Sequence, residues 1–405
     1  MVESWLDSVP PFLWGVATSA HQVEGNTCND WTRFEAQGRV KSGERSGRAA
    51  DHFHRYEQDF ELFSAIGVNA YRFSVEWSRI EPDRGRFDEA ALAHYVDMVH
   101  AMRAHGMEPV VTLHHFTAPL WFADAGGFLW RDAPQVFARF CARVATAFAD
   151  AAQVYVTINE PLVYLHGGYV RGEWPPGESD WRRAFEIYLG MLRCHKAAYR
   201  AIKAARPRSM VGLAHHVVAI APLQPKLGDR AAARLADLLM NWIFLRAAEP
   251  LQDYIGINYY MRQFASGRHP FEPLLARAGE PVTDMGWEMY PDGLREVLLA
   301  MRRFSRPILV LENGIATRDD ALRQRYLRDH VAAMQAAIAQ GADVRGYFHW
   351  SALDNFEWDS GFTPRFGLIE VDYATLERRL RDSARVYREL IRESHAPSRA
   401  SQSEV

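Results

Sequence analysis

Cysteine is scarce. Cys28, Cys141 and Cys194 are the three in 405 residues, far apart and without a CxxC pair, which excludes a disulfide framework or a zinc ribbon as the organising device. An excess of positive charge is also lacking: 47 Lys and Arg face 50 Asp and Glu, a net charge of −3. The basic footprint of a nucleic-acid binder is therefore missing. No apolar run reaches the roughly 20 residues of a membrane helix. The opening MVESWLDSVPPF has neither the basic nor the apolar region of a secretory signal, so the expected location is the cytoplasm. No predicted strand leads into GxGxxG or GxxxxGK, the glycine-rich phosphate cradles. Apolar residues (48%) and charged residues (24%) occur at ordinary globular levels. Aromatics are the abundant class, at 12% with 12 Trp.

Short apolar or β-branched runs alternate with amphipathic stretches from end to end. Strands are predicted at 12–19, 69–75, 108–115, 154–159, 210–215, 254–259, 308–312 and 346–351, of the kind that suits a parallel sheet covered on both faces. Helices are predicted at 53–66, 89–104, 134–149, 181–205, 230–245, 292–304, 320–339 and 377–392. Phe53, Tyr56, Phe60 and Phe63 lie near helical spacing in the first, as do Leu92, Val96, Val99 and Met102 in the second. Eight strands alternating with eight helices predict a single (β/α)8 TIM barrel. Length alone allows two or three domains, but no linker divides the chain. The expected organisation is one barrel over 1–394 and a small polar disordered tail over 395–405.

A barrel places its active site at the C-terminal ends of its strands. The fourth predicted strand ends in TINEP (157–161) and the seventh in LENG (311–314). Either carboxylate alone could serve a salt bridge or a solvated loop. Together they suit hydrolysis by an acid and a nucleophile. These motifs resemble the acid/base and nucleophile motifs of glycoside hydrolase family 1, the retaining β-glucosidases and β-galactosidases. WGVATSAHQVEG (14–25), DHFHRYEQD (51–59), YRFSVEWSRI (71–80), GINYY (256–260), WSALDNFEW (350–358) and RFGLIEVDY (365–373) extend the resemblance over nearly the whole chain.

The resemblance implies a retaining β-glycosidase that acts through a glycosyl-enzyme intermediate, without cofactor or metal. Its implied partners are small β-glycosides and oligosaccharides, with terminal β-D-glucosyl and also galactosyl or fucosyl groups. Glu312 matches the nucleophile and Glu160 the acid/base. The charge of Glu312 is expected to raise the pKa of Glu160. Arg72 and Tyr260 match residues that support the nucleophile. Asn159 matches the ligand of the sugar 2-hydroxyl, Gln22 and His115 those of the 3- and 4-hydroxyls. Glu357, beside Trp358, matches the carboxylate bridging O4 and O6, and Trp350 the stacking floor.

Some positions depart from the family pattern. Leu311 replaces a Thr and is expected to pack into the barrel wall. Phe116 replaces a Trp beside the sugar site. The stretch 216–253 is short, which predicts a more open aglycone side. Glu357, Pro364 and Phe366 stand where the phospho-specific branch has Ser, Lys and Tyr, so a 6-phosphate substrate is not expected. Myrosinase-like members have Gln at the acid position, where Glu160 is intact; two intact carboxylates also argue against a barrel that only binds sugar. His52 and His54 precede a helix rather than close a strand, and His114–His115 and His215–His216 are adjacent strand residues that face opposite ways, so all are read as structural or sugar-binding rather than metal ligands. Cys141 and Cys194 are expected to be buried and inert. Trp121, Trp174 and Trp287 are candidates for aglycone contact.

Overall fold

The computed structural model describes residues 12–277, 279 and 281–395. Parallel strands β1 (Leu13–Ala17), β2 (Ala70–Ser74), β3 (Glu108–Thr112), β4 (Val154–Asn159), β5 (Met210–Pro222) and β6 (Ile255–Ser266) follow one another. The far end of β6 turns back as a short antiparallel β7 (His269–Leu274), and β8 (Ile308–Asn313) and β9 (Val344–Trp350) complete the set. The spatial order β5-β4-β3-β2-β1-β9-β8-β6 closes through a β5–β6 pairing. Helices α1 (His52–Ile66), α2 (Glu89–Ala104), α3 (Ala133–Phe148), α4 (Trp181–Ala205), α5 (Leu227–Asp237), α6 (Pro291–Met301), α7 (Asp320–Ala339) and α8 (Asp382–His395) each follow one barrel strand. The expected (β/α)8 barrel forms.

Strand alternation sorts the core into two layers. Leu13, Ala70, Val110, Val154, Val156, Leu309 and Phe348 fill the barrel interior. Trp14, Val16, Tyr71, Phe73, Val111, Tyr155, Val310 and Tyr347 pack outward against the helices. Aspartate side chains cap three of these helices: Asp88, Asp180 and Asp319 each accept hydrogen bonds from two backbone N–H groups of the first turn. No described helix is long and apolar enough to cross a membrane.

Two departures from the predicted elements bear on the site. Strands β5 and β6 run well past their predicted ends and stay paired, from His216–Asn258 out to Pro222–Ala265. Helix α5 covers this extension, with Ala232, Ala233 and Ala236 against Ala265 and Ile220. A π-helical turn (Leu238–Trp242) and a further helix (Ile243–Ala248) follow α5. Asn241 pins the turn to β5 by bonding both the N–H and the carbonyl of Val218. The short 216–253 connection is thus fully structured.

The predicted helix 377–392 is also wrong at its start. Arg378–Leu380 form β11, paired with β10 (Ile369–Val371). Leu376 takes φ +62°, and Asp372 caps the turn by accepting from Ala374 and Thr375 N–H. Arg378 then bonds the buried Asp59 of α1 at 2.8 Å. A tertiary ion pair overrides the helical periodicity. The predicted tail lies outside the described residues, except His395 at the end of α8.

Candidate active site

The strands lose their regular register where they approach the mouth. Val156 pairs with Gly212 but Asn159 with Ala214, so β4 holds one extra residue. Ile257 pairs with Val310 but Asn258 with Glu312, so β8 holds another. Such bulges re-aim the following side chains. Here they bring both Leu311 and Glu312 inward, where strict alternation allows only one. Leu311 packs in the barrel interior, as expected for the residue that replaces Thr.

Glu312 is buried between two donors. Arg72 Nη1 lies 2.5 Å from its Oε1, and the Tyr260 hydroxyl donates to its Oε2 at 2.6 Å. Arg72 is itself fully buried on β2. Its Nε donates to Thr112 Oγ1, Nη1 also to the Leu311 carbonyl, and Nη2 to Asn159 Oδ1 at 2.7 Å. Asn258 Nδ2 donates to the same Asn159 oxygen and, at 2.7 Å, to Glu160 Oε1. A continuous polar chain therefore joins the carboxylates: Glu312, Arg72, Asn159, Asn258, Glu160. Glu160 itself takes φ +41°, a left-handed backbone costing a non-glycine residue roughly 1 kcal/mol or more, and Pro161 then opens a short helix.

The remaining family-matched residues converge on the same mouth. Asn159 Nδ2 lies 3.2 Å from His115 Nε2. Burial, then Arg72 and His114, hold His115 well below its usual range, so its ring is neutral and accepts that bond. The ring lies nearly parallel to those of Trp350, at 5.7 Å and 19°, and Trp358, at 6.1 Å and 16°. Gln22 donates to Asn355 Oδ1 and to Glu357 Oε2, at 2.8 and 3.2 Å. Phe116, at φ +69°, packs on Trp174 and Trp358.

Electrostatics divide the acids. Burial pushes Glu312 up to about 7; Glu160 pushes the same way, and Arg72 and Tyr260 oppose it. Burial, then the charges of Glu312, Asp359 and Glu160, push the partly buried Glu357 up to about 8. Glu160 lies below its ordinary value, not above it. Burial raises it, but His216, Asn258 and Arg72 more than reverse that. The expectation from the Glu312 charge alone missed His216, whose Nδ1 lies 3.4 Å from Glu160 Oε1.

The other candidates separate cleanly. His52 bonds Asp59 and Tyr71, and His114 packs in the helix layer on Phe128 and Tyr164. Among the described residues no cluster of three His, Cys, Asp or Glu could hold a metal ion. Cys141 and Cys194 are buried, and Cys28 is exposed. Trp174 and Trp287 border the mouth, on Trp358 and on Tyr260 respectively. Trp121 does not: it packs edge-on against Trp77 and bonds the Glu81 carbonyl. Phe366 is buried beside Tyr260 and Trp287, and Pro364 is also buried. A separate cavity of about 300 Å³, lined by Asp30, Phe34, Tyr164 and Tyr169, contains none of the family-matched residues. Asn258 and His216 were not assigned from the sequence. Asn258 was accessible there, two residues before Tyr260 and so on its face of the strand.

Paired buried carboxylates in an aromatic-lined barrel mouth are the equipment of a glycoside hydrolase. The comparisons with known proteins agree. The chain matches Glycosyl hydrolase family 1 over residues 7–249 and 245–396, and it belongs to that family. It is 30% identical to beta-glucosidase A of Acetivibrio thermocellus, with 94% of this chain and 97% of that protein covered. That alignment spans 437 residues, more than the whole of this chain, so the relative carries insertions that this chain lacks. A beta-galactosidase of Sulfolobus acidocaldarius is 32% identical, with 95% of each covered. Among solved structures, a beta-glycosidase from Pyrococcus horikoshii superposes with a TM-score of 0.88 at 39% identity, covering 96% of this chain and 97% of that one. The Thermotoga maritima beta-glucosidase in complex with glucoimidazole gives 0.90 at 28% identity, covering 96% and 99%.

Proposed function

We propose that this glycosidase removes terminal β-D-glucosyl groups, and also β-galactosyl and β-fucosyl groups, by double displacement. Glu312 is the nucleophile and Glu160 the acid/base. The polar chain between them carries the reading, because it gives the two carboxyls different neighbours. Glu312 receives two strong donors, a guanidinium and a phenol, suited to an anion that attacks C1. Glu160 receives one amide hydrogen bond, from Asn258, and has the His216 imidazole 3.4 Å away, a looser setting suited to a group that gives and regains a proton.

In the first step the Glu312 oxygen bonds to C1 as the glycosidic C–O bond breaks, and the Glu160 proton passes to the leaving oxygen. In the second, water attacks C1, Glu160 takes its proton, and the ester to Glu312 breaks. Asn159, held by Arg72 and Asn258, is placed to bind the sugar 2-hydroxyl, a contact that strengthens in an oxocarbenium-like transition state. Gln22, His115 and Glu357 form the hydroxyl-binding side, with Trp350 and Trp358 offering flat faces to the ring.

Proton NMR of the first-formed sugar tests the stereochemistry. Release of β-glucose from p-nitrophenyl β-D-glucoside supports retention, and α-glucose as the initial product overturns double displacement. A panel of β-glucoside, β-galactoside, β-fucoside and cello-oligosaccharides tests the substrate range. Comparable efficiency on cellobiose and longer oligomers supports an open aglycone side, and strict disaccharide selectivity overturns it.

A further inference from the structure

Glu357 opens a tight turn beyond the end of β9. Its backbone N–H donates to the Gly361 carbonyl at 2.7 Å, and Ser360 N–H donates to the Glu357 carbonyl at 2.9 Å. Between them Trp358 takes φ +50°, a left-handed backbone that a non-glycine residue keeps only where its surroundings over-determine it. Those surroundings come largely from residues 41–44, in the connection between β1 and α1. Lys41 Nζ reaches the Asp359 carboxylate at 3.0 Å and that of Glu173 at 2.8 Å. Ser42 N–H donates to the Asp359 carbonyl at 3.1 Å. Glu44 Oε2 accepts from Phe362 N–H at 2.9 Å. Trp174 Nε1 also donates to Asp359, at 3.0 Å, and its ring packs on Trp358. Gly361, at φ +65°, leaves the space for this contact: a Cβ there would collide with the Glu44 carboxylate and the Ser42 hydroxyl.

The segment is itself braced. Val40 is buried, and its carbonyl accepts from Gly43 N–H at 3.0 Å. Glu44 N–H donates to Ser42 Oγ, and Arg39 donates to the carbonyls of Pro176 and Gly177 in the loop after β4. Lys41 and Glu44 are exposed, and neither bonds Glu357, so they act on it through the turn.

We propose that Lys41 and Glu44 are positioning residues that fix the 357–361 turn and thereby set how strongly catalysis depends on the sugar's 6-hydroxyl. The proposal rests on Glu357 meeting O4 and O6 of the bound sugar. A carboxylate that bridges two hydroxyls has little angular freedom, so a small rotation of its turn weakens one of the two bonds. O4 is fixed on the ring, whereas O6 hangs on a rotating arm and is held only by what the protein offers it. The O6 contact is therefore the first to go when the turn loosens.

A β-D-galactoside and a β-D-fucoside isolate that contact, because they differ only in the 6-hydroxyl. With the p-nitrophenyl glycosides, Lys41→Met and Glu44→Ala should each lower the galactoside-to-fucoside ratio of kcat/KM by about three- to tenfold, the size of a weakened hydrogen bond to a charged group. Efficiency on the fucoside should stay close to wild type. Glu44→Gln, which keeps an oxygen for the Phe362 N–H, should retain the wild-type ratio. Equal losses on both sugars, or an unchanged ratio in Lys41→Met and Glu44→Ala, overturn the proposal and leave the segment as general packing. Glu357→Gln separates the proposal from the role beneath it. If that variant leaves the ratio unmoved, Glu357 does not read O6, and the proposal falls with that role alone. A wild-type protein that cleaves neither sugar overturns the proposed substrate range, and the proposal with it.

Discussion

A Cβ on Gly314 would stand 1.7 Å from the carbonyl oxygen of Trp350. The glycine that closes LENG thus lets the end of β8 lie against the end of β9, setting Glu312 and the Trp350 ring on one floor. Asn313 between them points outward, bonding the Tyr259 carbonyl, Tyr326 and Tyr347. The motif therefore combines one chemical residue with two that hold it in place.

Gly314→Ala should cost about 2–3 kcal/mol in chemical denaturation, because the contact is with backbone and cannot be relieved by a rotamer change. Activity should fall further than stability, since any relief moves Trp350 or Glu312. A variant with wild-type kcat would contradict this reading of the floor.

Glu312→Gly should abolish hydrolysis, and azide should restore turnover with release of the α-glycosyl azide. A small anion entering the vacated space attacks C1 from the face opposite the leaving group. Product analysis by NMR checks the assignment. Release of the β-azide instead would show that Glu312 and Glu160 have exchanged roles.

Arg72→Met should act on both stability and pH dependence. It leaves the buried Glu312 carboxylate without its cation, a change that costs roughly 3–5 kcal/mol when a buried pair is broken. Arg72 lowers the pKa of Glu312, so its removal raises that pKa further above 7. A carboxyl nucleophile attacks only as the anion, so with Glu312 in its proposed role the acid limb of kcat/KM should move to higher pH. An unmoved limb in a folded variant would detach Arg72 from the nucleophile.

Glu357 supplies a stability test. Its pKa is raised to about 8 in the fold and is about 4.3 in an unfolded chain. Between those values the folded protein binds the extra proton, so stability is greatest below the lower one and is lost as pH rises through 8. Glu357→Gln removes the penalty of ionising a partly buried acid. The variant should match wild type at pH 4 and exceed it by on the order of 1 kcal/mol at pH 9, discounting for partial exposure. Thermal unfolding at the two pH values measures the difference. A constant gap would mean that Glu357 titrates normally.

The barrel itself was legible because its strands and helices obey simple periods, and the two motifs gave the carboxylates unmistakable local context. What alternation could not show was the irregularity that makes the site. Leu311 and Glu312 both face inward only because β8 carries an extra residue, and no residue type announces that. His216 was visible as one of a pair, but not which of the two would face the mouth, since that depends on the register with Asn258. The extension of β5 and β6 was missed because its pairing partners lie some 40 residues apart. Arg378 reads as helical until its ion pair with Asp59 is seen.

The bulges in β4 and β8 make the number of residues in a strand a catalytic variable. With the same sequence and strictly regular strands, Asn159 and Glu312 would be presented to the surrounding helices. Insertion or deletion of one residue at these two places therefore acts on chemistry, while the pairing nearer the barrel floor keeps its register. A chain built this way can lose its site by a change of length alone, with every side chain proposed for the chemistry still present in the sequence.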